Sequence, residues 1–284
     1  MSLQIKLAAL AESLTGDLFY DEKNTTHQTM RMAYSTDASV YQELPLAVCI
    51  PQNINDLKTL IRFARENQTT LIPRTAGTSL AGQVVGSGIV VDVSRYFNQI
   101  LEVNEKEGWA RVQPGVIRDD LNAYLKPFGL MFGPETSTAS RAMIGGMIGN
   151  NSSGLHSIVW GDTRHNLLEA NVILDDESEV RFKELSEGDY FAKLSEKSRE
   201  GEIYRSLNEL LTNKDNQEAI HAGYPKSEIT RRNTGYALDM LSDVRQPFNL
   251  CRLLAGSEGT IGIITEAKIK LMPLPPKEIG LLCV

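Results

Sequence analysis

The chain has 284 residues, 42% of them hydrophobic, with 36 acidic against 29 basic residues and a net charge of −7. That is enough apolar material for one large domain or two small ones, and it leaves no broad cationic surface for a nucleic-acid backbone. No apolar run reaches the roughly 18 residues that a membrane-spanning helix needs. In chain order, Leu3 to Leu14 is interrupted by Lys6 and Glu12, which predicts an amphipathic helix rather than a signal peptide, and a cytoplasmic protein is expected. Residues 1–40 are expected to form an N-terminal helical extension.

A first lobe is expected over residues 41–97. Leu46 to Ile50 reads as a strand, Ile54 to Glu66 as a helix capped by Asn53, Thr69 to Ile72 as a strand and Ile89 to Val93 as another. Strand, helix, strand implies a parallel crossover. A second lobe, 98–275, starts with strand-like Ala110 to Gln113 and a helix from Ile117 to Pro127, and a glycine-rich helix starts near Arg141. Strands Ala170 to Leu174 and Glu179 to Phe182 flank Asp175-Asp176-Glu177-Ser178, a hairpin loop. Glu184 to Lys214 reads as helical and exposed, and Leu250 to Leu254 with Ile261 to Leu271 as the strands that close the sheet. Pro273-Leu274-Pro275-Pro276 is stiff, so 276–284 is expected to start a linker to a further domain.

The most informative segment is Pro73-Arg74-Thr75-Ala76-Gly77-Thr78-Ser79-Leu80-Ala81-Gly82. Its side chains are small enough for consecutive backbone N–H groups to turn toward one anion, and its hydroxyls can donate as well. Gly77 and Gly82 have the spacing of a nucleoside-triphosphate loop, but Gln83-Val84 stand where that chemistry needs Lys and Ser or Thr. Gly86-Ser87-Gly88 runs into the strand Ile89 to Val93, not a helix N-terminus, so it is no dinucleotide fingerprint. Taken alone, the segment would be a turn between two strands.

Two further runs accompany it. Gly133 to Ser140 leads into Ile144-Gly145-Gly146-Met147-Ile148-Gly149-Asn150-Asn151-Ser152-Ser153-Gly154, where glycines admit a flat ring or another backbone and Asn and Ser supply donors and acceptors. Gly256-Ser257-Glu258-Gly259-Thr260-Ile261-Gly262-Ile263-Ile264-Thr265-Glu266 is the third. Cys49, Cys251 and Cys283 are widely spaced and read as reduced thiols, with no C-x-x-C for a metal or cluster. His156 and His165 lack ligand spacing and read as hydrogen-bonded structural residues; no G-x-S-x-G supports a hydrolase. Arg231-Arg232 reads as a solvated helix end, or as an anion contact beside Asn233-Thr234-Gly235-Tyr236.

In order and spacing the three runs resemble the FAD-binding domain of the p-cresol methylhydroxylase and vanillyl-alcohol oxidase type over roughly residues 30 to 275, and within it the D-lactate and D-2-hydroxyglutarate dehydrogenase branch. The resemblance implies an α+β fold: a small parallel strand-helix lobe beside a larger mixed or antiparallel sheet lobe flanked by helices. It places Arg74, Thr75, Ala76, Gly77, Thr78 and Ser79 around the FAD pyrophosphate. Pro134, Glu135, Ser137, Gly145, Gly146, Gly149, Asn150, Ser153 and Gly154 would line the flavin and ribityl chain, with Glu258 and Ile263 near adenine. Members that tether FAD covalently often use a His in the first loop; Thr78 stands there, so non-covalent FAD is expected. The implied activity is oxidation of a D-2-hydroxy acid, with electrons passing to a quinone, an iron–sulfur centre or an electron-transfer protein. Catalytic residues would lie on a cap domain outside this chain. A non-catalytic FAD-binding module, or another flavin-dependent oxidase or dehydrogenase of the superfamily, is the alternative.

Overall fold

The computed structural model describes residues 2–226, 228–229, 232, 235–243 and 245–276. The first lobe runs α1 (Leu3–Ser13), β1 (Asp17–Phe19), α2 (Thr25–Ala33), β2 (Ala47–Ile50), α3 (Ile54–Asn67), β3 (Leu71–Arg74) and β4 (Ile89–Asp92). Helix α3 starts where the Asn53 carboxamide accepts the Asp56 N–H at 3.0 Å, and Leu57, Leu60, Ile61, Phe63 and Ala64 form its buried stripe. It ends at Gln68, whose φ of 51° is left-handed, with the Thr69 N–H still bonded to the Ala64 carbonyl. That cap occupies Thr69, so β3 starts at Leu71, two residues later than the apolar run suggests. The sheet order is β1-β2-β4-β3, in which β4 fills the space between the two parallel strands joined by α3. Pro73 is tolerated because β3 is an edge strand.

Residues 1–40 are more than a helical extension, because β1 pairs antiparallel with β2. Buried Asp56 anchors it: its carboxylate accepts the N–H groups of Thr15 at 2.9 Å, Gly16 at 3.0 Å and Gln52 at 2.8 Å. Leu7 and Leu10 of α1 join the core beneath α3.

The second lobe contains β5 (Ile100–Asn104), β6 (Trp109–Val112), α4 (Arg118–Leu125), β7 (Leu130–Met131), α5 (Ile144–Gly149), α6 (Ser157–Trp160), α7 (Thr163–Asn166), β8 (Leu167–Ile173), β9 (Glu179–Phe182), β10 (Glu184–Leu185), α8 (Glu187–Ser195), α9 (Arg199–Thr212), α10 (Lys214–Gly223), α11 (Leu238–Leu241), β11 (Phe248–Asn249), α12 (Cys251–Leu254), β12 (Ile263–Lys270) and β13 (Met272–Pro273). Its main sheet has the order β5-β6-β12-β8-β9, all neighbours antiparallel. Two expectations are corrected here. Residues 184–214 are not uniformly exposed, since Tyr204 of α9 is 1% exposed and packs on Phe248, and β10 precedes the helices. Leu250 to Leu254 is a helical turn rather than a strand, because Asn249 Oδ1 accepts the Cys251 N–H at 2.9 Å and turns the chain away from the sheet.

Ile173 and Ile263 from the second lobe are buried in the core of the first, beside Val93 and Phe97. Across the surface above them, Arg62 and Arg65 of α3 hold Glu177 in the β8–β9 hairpin, and Lys58 pairs with Glu179. The two lobes therefore meet through a shared apolar core and a rim of ion pairs.

Candidate cofactor cleft

Between the lobes lies a cleft of about 550 Å³, walled on one side by the loop that leaves β3. Among the described residues, none of the backbone N–H groups of residues 75–79 donates to the protein. Five adjacent donors left open beside a cleft form an anion cradle. Gly77 and Gly82 have φ of 65° and 74°, conformations that side-chain-bearing residues rarely adopt. At Gly77 a Cβ would come within 2.5 Å of the Arg74 guanidinium, which lies under the loop. That guanidinium donates to the Tyr34 and Thr36 carbonyls at 3.3 and 2.8 Å and sits 4.9 Å from the Tyr34 ring centroid. Burial lowers the Arg74 pKa from its ordinary value, and burial together with the Asp92 carboxylate, which accepts its hydroxyl, raises that of Tyr34.

The opposite wall is the second glycine run. Gly145 packs on Pro114, where a Cβ would meet Pro114 Cβ at 2.5 Å, and its N–H donates to the Pro114 carbonyl at 2.8 Å. Gly146 brings the two walls together, since a Cβ there would lie 2.7 Å from Thr75 Oγ1. After α5 the chain turns at Asn151, which is 1% exposed with φ of 54°. Its carboxamide accepts the Arg164 N–H at 2.8 Å and donates to Asp162 at 2.9 Å and to the Arg232 carbonyl at 3.2 Å. The buried Arg164 guanidinium donates to the carbonyls of Arg252, Ala255 and Gly235, tying this turn to the third glycine run. The same two runs are joined by backbone bonds from Gly256 to Ile148 and from Glu258 to Gly149. Although burial opposes it, hydrogen bonds from His165 and Asn151 hold the Asp162 carboxyl below its ordinary pKa.

One cleft gathers Arg74, Thr75, Ala76, Gly77, Thr78, Ser79, Ser137, Gly145, Gly146, Gly149, Asn150, Ser153, Glu258 and Ile263. Three residues named from the sequence stand outside its lining. The Pro134 carbonyl accepts from Arg118 Nε at 3.2 Å, Glu135 pairs with His156 Nδ1 at 2.8 Å, and Gly154 packs so close to Glu135 that a Cβ would lie 2.1 Å from its Cγ. Ala38, Gln83 and Thr138 also line the cleft; Thr138 lies in the run that starts at Gly133, whereas Ala38 and Gln83 are not among the site residues named from the sequence. Gln83 bridges Ser79 and Glu258, and Thr138 Oγ1 donates to Thr78 Oγ1 at 3.4 Å.

His165 bonds Asp162 at 2.6 Å, so both histidines singled out in the sequence carry carboxylate bonds. Cys49 and Cys251 are buried free thiols, and burial raises both pKa values; Cys283 lies outside the described residues. Of the Arg231-Arg232 pair and Asn233-Thr234, only Arg232 is described, and it pairs with Asp239. Among the described residues there is no grouping of His, Cys, Asp and Glu fit for a metal, and no helix long and apolar enough to cross a membrane.

Comparison with known proteins adds the following. Residues 45–183 match the family described as FAD binding domain. The chain is 40% identical over 271 residues to a D-2-hydroxyglutarate dehydrogenase of Pantoea ananatis, covering 93% of this chain and 25% of that protein. It is 30% identical over 273 residues to a glycolate oxidase subunit GlcD of Bacillus subtilis, covering 95% and 46%. The chain thus spans about a quarter to a half of these relatives' lengths. Among solved structures it is similar to an alkyldihydroxyacetonephosphate synthase, with a TM-score of 0.64, 17% identity, and coverage of 98% of this chain and 42% of that one, which establishes the fold. Residues 45–183, the stretch similar to the FAD binding domain family, supply most of the cleft lining, and Ala38 with residues between Leu254 and Ile264 supply the rest.

Proposed function

We propose that the cleft holds FAD with its pyrophosphate on the N–H groups of residues 75–79, and that the whole protein, of which this chain is the flavin-binding part, oxidises a D-2-hydroxy acid. The convergence of three separate glycine runs on one cleft with an open anion cradle carries this reading. The residues fit the group. Five unbonded donors lie on residues that line a site of about 550 Å³, within the usual range of cofactor pockets, and the Arg74 cation lies against Gly77 of the loop. Thr78 and Ser79 add hydroxyl donors, and Gly77 admits a phosphate close to the backbone. Gly145 and Gly146 let the wall close on Pro114 and Thr75, Gly149 leaves open space for a flat ring, Asn150, Ser137 and Ser153 supply polar edges, and Pro134, Glu135 and Gly154 buttress that wall. Glu258 and Ile263 stand at the adenine end.

When bound, the flavin would supply the redox chemistry, hydride uptake from the hydroxy acid. This chain's residues bind the pyrophosphate, orient the ring and exclude water from one of its faces. No His stands at Thr78, so the cofactor is held without a covalent tether. The similarity to D-2-hydroxyglutarate dehydrogenases supports D-2-hydroxyglutarate or D-lactate as substrate class, with a quinone, an iron–sulfur centre or an electron-transfer protein as acceptor. Buried free thiols agree with a cytoplasmic setting.

The test is the visible spectrum of the purified chain, before and after acid precipitation and filtration. Flavin bands that pass the filter are expected; a colourless chain that takes up no added FAD would sink the assignment. Bleaching of those bands by D-2-hydroxyglutarate or D-lactate in the whole protein tests the substrate class.

A further inference from the structure

The anion cradle cannot hold its own shape. The N–H groups of residues 75–79 make no bonds within the protein among the described residues, and the loop that carries them needs left-handed backbone at Gly77 and Gly82. Besides the Gln83 and Thr138 bonds, what holds it comes from residues that precede the matched family segment. Residues 35–43 form a closed turn, with Thr36 bridged to Gln42 and the Glu43 N–H bonded to the Ser35 carbonyl at 2.9 Å. One end of this turn grips the start of the cradle, where the Tyr34 ring and the carbonyls of Tyr34 and Thr36 hold the Arg74 guanidinium beneath Gly77. Its other end grips the finish. The Tyr41 ring lies so close to Gly82 that a Cβ there would meet its Cδ2 at 2.7 Å. Ala38, between the two grips, lines the cleft itself.

The geometry points to residues 34–41 as a clamp that preforms the pyrophosphate loop, with Tyr41 as a positioning residue for FAD. The inference rests on the FAD reading given above. A loop that is ordered before the ligand arrives spares the ligand that entropy, so loss of the clamp appears as weaker binding rather than as unfolding. Tyr41 is 59% exposed, so removing its ring leaves the core intact.

The experiment titrates FAD into the purified chain by flavin fluorescence for the native protein and for Tyr41→Ala, Tyr41→Phe and Lys197→Ala, alongside thermal unfolding. Tyr41→Ala is expected to raise the FAD Kd about tenfold with Tm unchanged. Tyr41→Phe keeps the ring against Gly82 and is expected to bind as the native chain does. Lys197, exposed and outside the clamp, serves as the neutral control. Without FAD, chymotrypsin is expected to cut faster after the exposed Leu80 in Tyr41→Ala, a local loosening that a global change in stability would not produce alone. A Tyr41→Ala Kd within twofold of native overturns the clamp, as does a loss of affinity that tracks a fall in Tm. If the native chain itself takes up no FAD, the FAD reading and the clamp fall together; if it binds and Tyr41→Ala binds equally, only the clamp falls.

Discussion

The two glycine-rich walls of the cleft solve opposite problems. The loop after Arg74 leaves the N–H groups of residues 75–79 open and is propped by Tyr34 and Tyr41, the former through the Arg74 guanidinium. The turn at residues 149–154 is stapled from within, where Asn151 and Arg164 satisfy backbone and side-chain groups in a buried network. A surface that is to hold an anion must keep its N–H groups unpaired, so its shape has to be enforced by neighbours. A wall that must only stand still can spend every hydrogen bond on itself.

If that contrast is right, the two walls fail differently. The largest effect is expected for Arg164→Met, which strands the carbonyls of Arg252, Ala255 and Gly235 in a buried site; a loss of about 4 kcal/mol in unfolding free energy, read by urea denaturation, is the expected outcome. Gly77→Val comes next and acts on the other property. Its branched side chain opposes a φ of 65° and crowds the cradle, so the FAD Kd is expected to rise about a hundredfold, while Lys197→Val on the exposed surface leaves binding unchanged.

A pH titration sharpens the comparison further. Because the folded Asp162 pKa lies below its unfolded value, its contribution to stability is complete above the unfolded carboxylate pKa and disappears as pH falls through the folded one. Asp162→Asn is therefore expected to lose about 1–2 kcal/mol near neutrality and to show less acid destabilisation than the native chain. The smallest effect is expected for Glu177→Gln, which removes the partner of Arg62 and Arg65 at the exposed lobe rim. Its small change in Tm should vanish near 1 M salt, where such pairs are screened.

Much of this architecture is legible in the sequence because local chemistry dictates it. Asn53 announces the start of α3, the hairpin at residues 175–178 sits between alternating runs, and the small residues of the three glycine runs mark backbone that must approach something closely. What escapes is what depends on distant chain. Leu250 to Leu254 is apolar enough for a strand, and only the Asn249 side-chain bond turns it into a helical turn. Tyr204 lies in a charged helix, and its burial is visible only once Phe248 is packed on it. Arg74 reads as a phosphate ligand from its place in the loop, whereas the fold turns its guanidinium under the loop toward Tyr34 and Thr36.

The position of β12 bears on how the protein is made. It is the central strand of the second sheet, flanked by β6 and β8, yet it comes from residues 263–270, near the end of the described chain. Until it emerges from the ribosome, the inner edges of β6 and β8 have no partner. The stretch between Phe182 and Ile263 is about 80 residues, so at 5–20 residues per second those edges wait on the order of 4–16 seconds. Residues 45–183, although they carry the family similarity, thus lack the strand that closes their own sheet, and expressed alone they are expected to aggregate through those edges.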